Sequence, residues 1–156
     1  MLKVAILVIS SKVTSEQEPD KQRELLTKMV EELPGVMVSY DVVPDDRKMI
    51  RERLVQICGD QTPDVLLTVG GTGVRPTDWT PEATRDVIDK EVPGIGEAMR
   101  QESLKKVRTA MLSRGTAGIR GHTLIVNLPG SSQGAKQNVA VLAPVLEHTV
   151  EKIRRQ

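Results

Sequence analysis

The chain has no phenylalanine, one tryptophan (Trp79), one tyrosine (Tyr40) and one cysteine (Cys58). So few aromatic rings leave no stacking platform of the kind that holds single-stranded nucleic acid. A lone cysteine excludes an intramolecular disulfide and supplies too few thiols for a structural zinc site, which fits a reducing, cytoplasmic setting. Net charge is lacking as well: 22 basic residues face 21 acidic ones, a formal +1, so no overall field draws nucleic acid or an anionic membrane. The N-terminal apolar run, Val4 to Ile9, is too short for a transmembrane helix. It also lacks the basic start and small-residue cleavage site of a secretory signal, and reads as a first strand. His122 and His148 lie far apart with no nucleophile motif beside either. What remains is a chain of 156 residues expected to fold as one domain over 1–156. At that size it should bury roughly 70% of the surface its unfolded form exposes.

The densest information lies between Val65 and Ala83. Val65 to Val69 is a continuous apolar and β-branched run, as suits a parallel strand covered on both faces. The strand stops at Gly70, Gly71 and Gly73, whose missing Cβ atoms permit a tight turn and let the amides around Thr72 point at an anion. Thr80 is then the expected N-cap of a helix with Pro81 at its first position, where the missing N–H costs nothing. Asp78 precedes that cap by two residues. A glycine loop, a carboxylate and a helix start at the carboxyl end of a strand form the usual ligand edge of an open parallel sheet. The same residues also make an ordinary βα turn, with Asp78 favoured by the helix dipole alone. The loop is neither a Walker A sequence nor a dinucleotide fingerprint, because no lysine follows the last glycine and the Gly-x-Gly-x-x-Gly spacing is absent.

The rest of the chain alternates strands with helices. Ser10 to Glu18 reads as a loop, and Asp20 as the cap of a helix over 20–33 that carries Leu25, Leu26, Met29, Val30 and Leu33 on one stripe. Met37 to Val43 is a second strand. Asp46 caps the following helix, and Asp45 takes a site role if this strand neighbours the one ending at Gly70. Further helices are expected from Pro81 to about Lys90 and from Gly94 to Ser103. Residues 104–116 carry no pattern, and 117–122 read as a turn between short extended pieces. Thr123 to Leu128 is an apolar strand. It runs into Pro129-Gly130-Ser131-Ser132, a second turn that is either an anion contact or a plain helix cap. A last helix over 133–154 should kink at Pro144. The alternation predicts an α/β fold, a three-layer αβα sandwich with a mostly parallel sheet. Asp45, the Gly70 loop, Asp78, Thr80 and Ser131 then share one rim, and two carboxylates beside phosphate-binding amides suit magnesium-assisted phosphate chemistry.

Several ordered blocks together resemble one family. Gly70-Gly71-Thr72-Gly73, Pro76, Asp78 and Thr80-Pro81-Glu82-Ala83-Thr84 look like the signature of the molybdopterin adenylyltransferases, the MogA/MoaB family that includes the N-terminal domain of gephyrin. Val43-Pro44-Asp45-Asp46, Leu112-Ser113-Arg114, Gly118-Ile119-Arg120-Gly121 and Asn127-Leu128-Pro129-Gly130-Ser131 resemble further blocks in the same order. The resemblance implies a cytoplasmic enzyme of molybdenum cofactor synthesis that adenylylates molybdopterin with Mg²⁺ and ATP and releases pyrophosphate. It implies a homotrimer, with a hexamer as the other assembly, and a downstream molybdate-insertion protein as partner. In that reading Asp45 and Asp78 are catalytic and hold Mg²⁺. Gly70, Gly71, Thr72, Gly73, Thr80, Ser113, Gly130, Ser131 and Lys136 contact phosphates or the pterin. The other reading is a non-catalytic molybdopterin-binding or scaffold module on the same fold. Family members usually show Ser-Asp after the first strand and Asp-x-Ser-Gly at the first helix; here these are Ser10-Ser11 and Asp20-Lys21-Gln22-Arg23. The arginine common before the signature aspartate is Thr77, with Arg75 close by.

Overall fold

The computed structural model describes residues 1–155. Six strands form one sheet: β1 (Leu2–Ile9), β2 (Gly35–Val43), β3 (Val65–Val69), β4 (Lys90–Glu91), β5 (Ala117–Arg120) and β6 (Thr123–Leu128). Their order is β2-β1-β3-β6-β5-β4. The first four in that order run parallel; β5 pairs antiparallel with β6, and the edge strand β4 pairs antiparallel with β5. Helices α1 (Ser11–Thr14), α2 (Arg23–Glu31), α3 (Arg47–Asp60), α4 (Thr80–Arg85), α5 (Pro93–Leu104) and α6 (Ser132–Arg154) connect the strands. The expected three layers and mostly parallel sheet are therefore present.

Side chains in a strand alternate between faces, so each central strand feeds two cores. Val4, Ile6, Val8, Leu67, Val69, Leu124 and Val126 pack with Leu26, Met29 and Val30 of α2 and Leu142, Leu146 and Val150 of α6. Ala5, Leu7, Leu66 and Ile125 turn the other way, against Ile50, Leu54 and Ile57 of α3 and Ala83 of α4. Leu66 and Leu67 are adjacent in sequence, are almost wholly buried, and belong to opposite cores. Truncating either to alanine should cost about 2–5 kcal/mol. Asn127 is the polar exception in the middle: its amide donates to Thr68 Oγ1 at 3.0 Å and Thr84 Oγ1 at 2.9 Å, and its carbonyl accepts from the Thr116 amide.

Several local expectations change. The segment after β1 holds the short helix α1, capped by Ser10, which accepts from the Val13 amide. Asp20 does not cap α2; the helix starts at Arg23, and Asp20 accepts from the Gln22 amide and the Tyr40 hydroxyl. Burial, and then that hydroxyl bond to Asp20, raise the Tyr40 pKa, so the phenol keeps its proton. Thr80 does not cap α4: Trp79 holds the cap position, and Thr80 is the first helical residue. The helix ends at Arg85 because the chain must turn to pair β4 with β5, a two-residue strand too short to leave a periodic signal. Residues 108–112 form a single 3-10 turn. Helix α6 runs through Pro144 without a break in its span. Most important, β2 and β3 are not neighbours, since β1 lies between them. Asp46 does cap α3, accepting from the Met49 amide at 2.9 Å.

Candidate active site

Four parallel strands end on one rim, and their exits carry Ser10, Asp45, Gly70 and Pro129. The Gly70 loop is pinned hard. The Gly70 amide donates to Leu128 O at 3.1 Å, its φ is +108°, and a Cβ there would lie 2.6 Å from Ile9 O. Gly71 has φ +70°, and a Cβ would meet Thr80 Oγ1 at 2.2 Å. Only glycine fits both positions. Thr80, fully buried, donates its hydroxyl to Gly70 O at 2.8 Å and its amide to Gly71 O at 3.1 Å. It thus shapes the loop from beneath and does not line the cleft described below. The amides of Gly71, Thr72 and Gly73 meet no acceptor among the described residues. A run of unpaired amides in this conformation is an anion nest.

Gly71, Thr72 and Gly73 line a cleft of about 650 Å³ together with Asp78, Arg75, Arg100, Ser113, Gly130 and Ser131. Asp78 Oδ2 accepts from the Arg75 amide at 3.0 Å, which holds the carboxylate beside Gly73. A Cβ on Gly130 would lie 3.5 Å from the Gly70 Cα, so the two glycine turns abut across the ends of β3 and β6. Ser131 caps α6 by accepting from the Gly134 amide at 3.1 Å and still lines the cleft. Asp78 is the one carboxylate among the lining residues, against two guanidinium groups, Arg75 and Arg100. The cleft is therefore locally positive in a nearly neutral chain.

Four expected residues lie outside its lining: Gly70 and Thr80, which build the turn beneath it, and Lys136 and Asp45. Lys136 is exposed on the side of α6 that faces α2, in a groove with Leu25, Met29 and Ser132. Asp45 stands at the same rim but does not line the cleft: its Oδ2 accepts from both the amide and the hydroxyl of Ser11, at 3.1 and 2.9 Å, and its own amide donates to Ser11 Oγ. The altered segment 20–23 reaches the site once, where the Gln22 side-chain amide donates to Gly130 O.

Four residues carry more of the site than the sequence suggested. Arg100 donates to Gly115 O at 2.7 Å, and Asn127 ties the cleft floor to α4. Asn138 is nine-tenths buried and accepts from Ser103 Oγ at 2.9 Å. A polar residue inside an apolar helical stripe was the available clue to it. Arg114 falls in the Leu112-Ser113-Arg114 block, but its contacts are with residues distant in sequence and no local pattern points to them: Nε donates to Gly73 O at 2.8 Å, Nη2 to Asp78 O at 3.0 Å and Nη1 to Glu82 Oε2. Burial raises the Glu82 carboxyl, but the Arg114 hydrogen bond and charge outweigh it and hold the group below the usual carboxylate range.

The family described as "Probable molybdopterin binding domain" matches residues 5–148, nearly the whole chain. The chain belongs to that family. A molybdopterin adenylyltransferase of Helicobacter pylori is 43% identical over 114 residues, which cover 73% of this chain and 65% of that protein. The Drosophila melanogaster molybdenum cofactor synthesis protein cinnamon is 38% identical over 149 residues, 95% of this chain and 25% of that protein. The chain thus spans less than two thirds of the length of either relative. The crystal structure of the molybdopterin biosynthesis enzyme MoaB from Thermus thermophilus superimposes with a TM-score of 0.91 at 41% identity, covering 98% of this chain and 96% of that one. Membership in the molybdopterin-binding family accords with a positive cleft at the carboxyl edge of the sheet.

Proposed function

We propose that this chain is a molybdopterin adenylyltransferase, joining the AMP part of ATP to the terminal phosphate of molybdopterin with release of pyrophosphate. The observation that carries the reading is that two abutting glycine turns, one carboxylate and two guanidinium groups line a single cleft. Its volume is in the range of pockets that enclose small organic ligands. The activity borne by the H. pylori relative's name agrees with it.

In this reading a phosphate oxygen of the pterin attacks the α-phosphorus of ATP, and the bond from that phosphorus to the bridging oxygen breaks. Little covalent work falls to the protein; it must align the two phosphates and neutralise charge. The unpaired amides of Gly71, Thr72 and Gly73 receive phosphate oxygens, and Arg75 and Arg100 supply positive charge from the cleft wall. Ser113, Gly130 and Ser131 bound the second half of the cleft, where the other phosphate lies. Asp78 would hold Mg²⁺, which when bound spreads the charge that develops on the phosphates. The donor set fits: Mg²⁺ takes one or two carboxylates and completes its shell with water and substrate phosphate. Among the described residues no group of three His, Cys, Asp or Glu forms a protein-only cage. Asp45, tied to Ser11 outside the cleft, adds negative charge at the rim and holds the Ser11 segment in place.

Mixing the protein with molybdopterin and Mg-ATP and following pyrophosphate tests the reading. Release that requires both substrates supports it; binding of molybdopterin without release leaves the scaffold module instead. The proposal includes a cytoplasmic homotrimer that hands its product to a molybdate-insertion protein. No helix among the described residues is long and apolar enough to cross a membrane. Exposed Leu104, Val107, Met111 and Leu112 give copies of the chain an apolar surface to share. Light scattering that returns a monomer would remove the trimer.

A further inference from the structure

We infer that Arg114 and Glu82 form a positioning pair that sets the shape of the Gly71–Asp78 loop from behind, and that Arg114 is not a phosphate ligand. The inference rests on the adenylyl-transfer reading for its effect on turnover, but not for its effect on the loop. Arginine near a phosphate site is ordinarily assigned to the anion, since its fork matches phosphate oxygens. Here the fork is spent elsewhere. Nε donates to Gly73 O, Nη2 to Asp78 O and Nη1 to Glu82 Oε2, while the Arg114 amide donates to Thr72 O at 2.7 Å. Three points of the loop, Thr72, Gly73 and Asp78, therefore hang on one residue. Arg114 does not line the cleft, although its neighbours Ser113 and Gly115 do. It lies on the far side of that segment, in a separate hollow with Arg85, Glu91 and Thr116.

Glu82 makes the arrangement directional. It projects from α4, which the buried residues Pro81, Ala83 and Thr84 fix against the sheet. Its carboxylate oxygen Oε2 holds Nη1 of the guanidinium. The chain of contacts runs from the rigid sheet through α4 and Glu82 to the guanidinium, and from there to the carbonyls on either end of the loop. A lysine could hold one of these acceptors but not three in a plane.

The test compares Arg114→Lys, Glu82→Ala and Glu82→Gln with the parent protein, by pyrophosphate release and by hydrogen exchange at the Arg75, Asp78 and Thr80 amides. Those three are bonded to Asp78 Oδ2, Arg75 O and Gly71 O in the parent. Arg114→Lys and Glu82→Ala should each lower kcat on the order of 100-fold, with KM for ATP changed by less than about threefold, because a displacement near 1 Å costs that much in alignment. The double variant should be no worse than the worse single one. Glu82→Gln, whose amide oxygen still accepts from the guanidinium, should fall by only about threefold. Exchange at the three amides should rise at least about tenfold while the rest of the sheet stays protected. Loss confined to KM for ATP in Arg114→Lys would make it a phosphate ligand and overturn the inference. Unchanged exchange would overturn it too, whatever the turnover. A parent protein that releases no pyrophosphate, yet loosens at these amides when Arg114 is changed, would sink the adenylyl-transfer reading and leave the positioning pair standing.

Discussion

Asp45 and Asp78 each follow a parallel strand of one sheet, each accepts a backbone amide, and both belong to the sequence blocks that resemble the family. Their surroundings differ. Asp78 lines the cleft beside the unpaired amides of the glycine loop, whereas Asp45 closes a small ring of hydrogen bonds with Ser11 and faces the rim outside. The cause is strand order. With β1 between β2 and β3, the two strands are about 10 Å apart, twice the spacing of neighbours. Placement at the carboxyl edge thus makes a residue available to a ligand. Whether it enters the ligand's pocket depends on which strands are adjacent.

The comparison can be broken most directly at Asp78. Asp78→Asn keeps the bond from the Arg75 amide through its carboxamide oxygen but removes the charge, so turnover should fall about 10³-fold with the fold intact by circular dichroism. Asp45→Asn likewise keeps the Ser11 bonds, and its loss of turnover should be smaller, about 10- to 100-fold, in the same pyrophosphate assay. Equal losses at the two positions would mean that one bound ligand spans both loops, and the distinction drawn from strand order would fail.

Gly71→Ala sharpens the contrast from the side of the backbone. A methyl group there meets Thr80 Oγ1 at φ +70°, and the strain should cost about 1–3 kcal/mol. For a chain of this length that lowers Tm by roughly 2–10 °C in a thermal melt. The Asp45 turn contains no glycine in a left-handed conformation among the described residues and should tolerate Pro44→Ala with a much smaller shift.

The smallest effect concerns acid. Arg114 holds Glu82 below the usual carboxylate range against the opposing pull of burial. Asp86 is held down chiefly by its hydrogen bond from Arg47, and Glu91 chiefly by that from Thr116. Groups whose folded pKa is depressed contribute stability above the unfolded value and lose it as pH falls through the folded one. Tm should therefore be flat near neutrality and decline below about pH 4, where carboxyl groups begin to protonate. In Glu82→Gln part of that decline should vanish, and an identical acid slope would show that the Arg114 bond does not form in solution.

What was legible in the chain follows from how far each signal reaches along it. β1, β3, β6 and the stripe of α2 are written in local periodicity, and so was the layered architecture. The glycine loop was legible because Gly70 and Gly71 satisfy a backbone need at their own positions. Thr80 was placed correctly at a helix start, yet its hydroxyl looks back ten residues to Gly70 O in place of capping. Arg114 acts on residues 32 to 41 positions away, and no spacing rule spans that distance. Lys136 sits at the N-terminal end of α6 but lines the groove against α2 and not the cleft, a placement that depends on how α6 is rotated against α2.

The scarcity of aromatic rings has a practical sequel. The chain's single indole is Trp79, partly exposed at 39% and next in sequence to Asp78. Excited at wavelengths that tyrosine does not absorb, the protein emits from one place only, the residue that follows cleft-lining Asp78. Filling that cleft should change the colour or brightness of the whole molecule's intrinsic fluorescence, so that occupancy can be titrated without attaching a label.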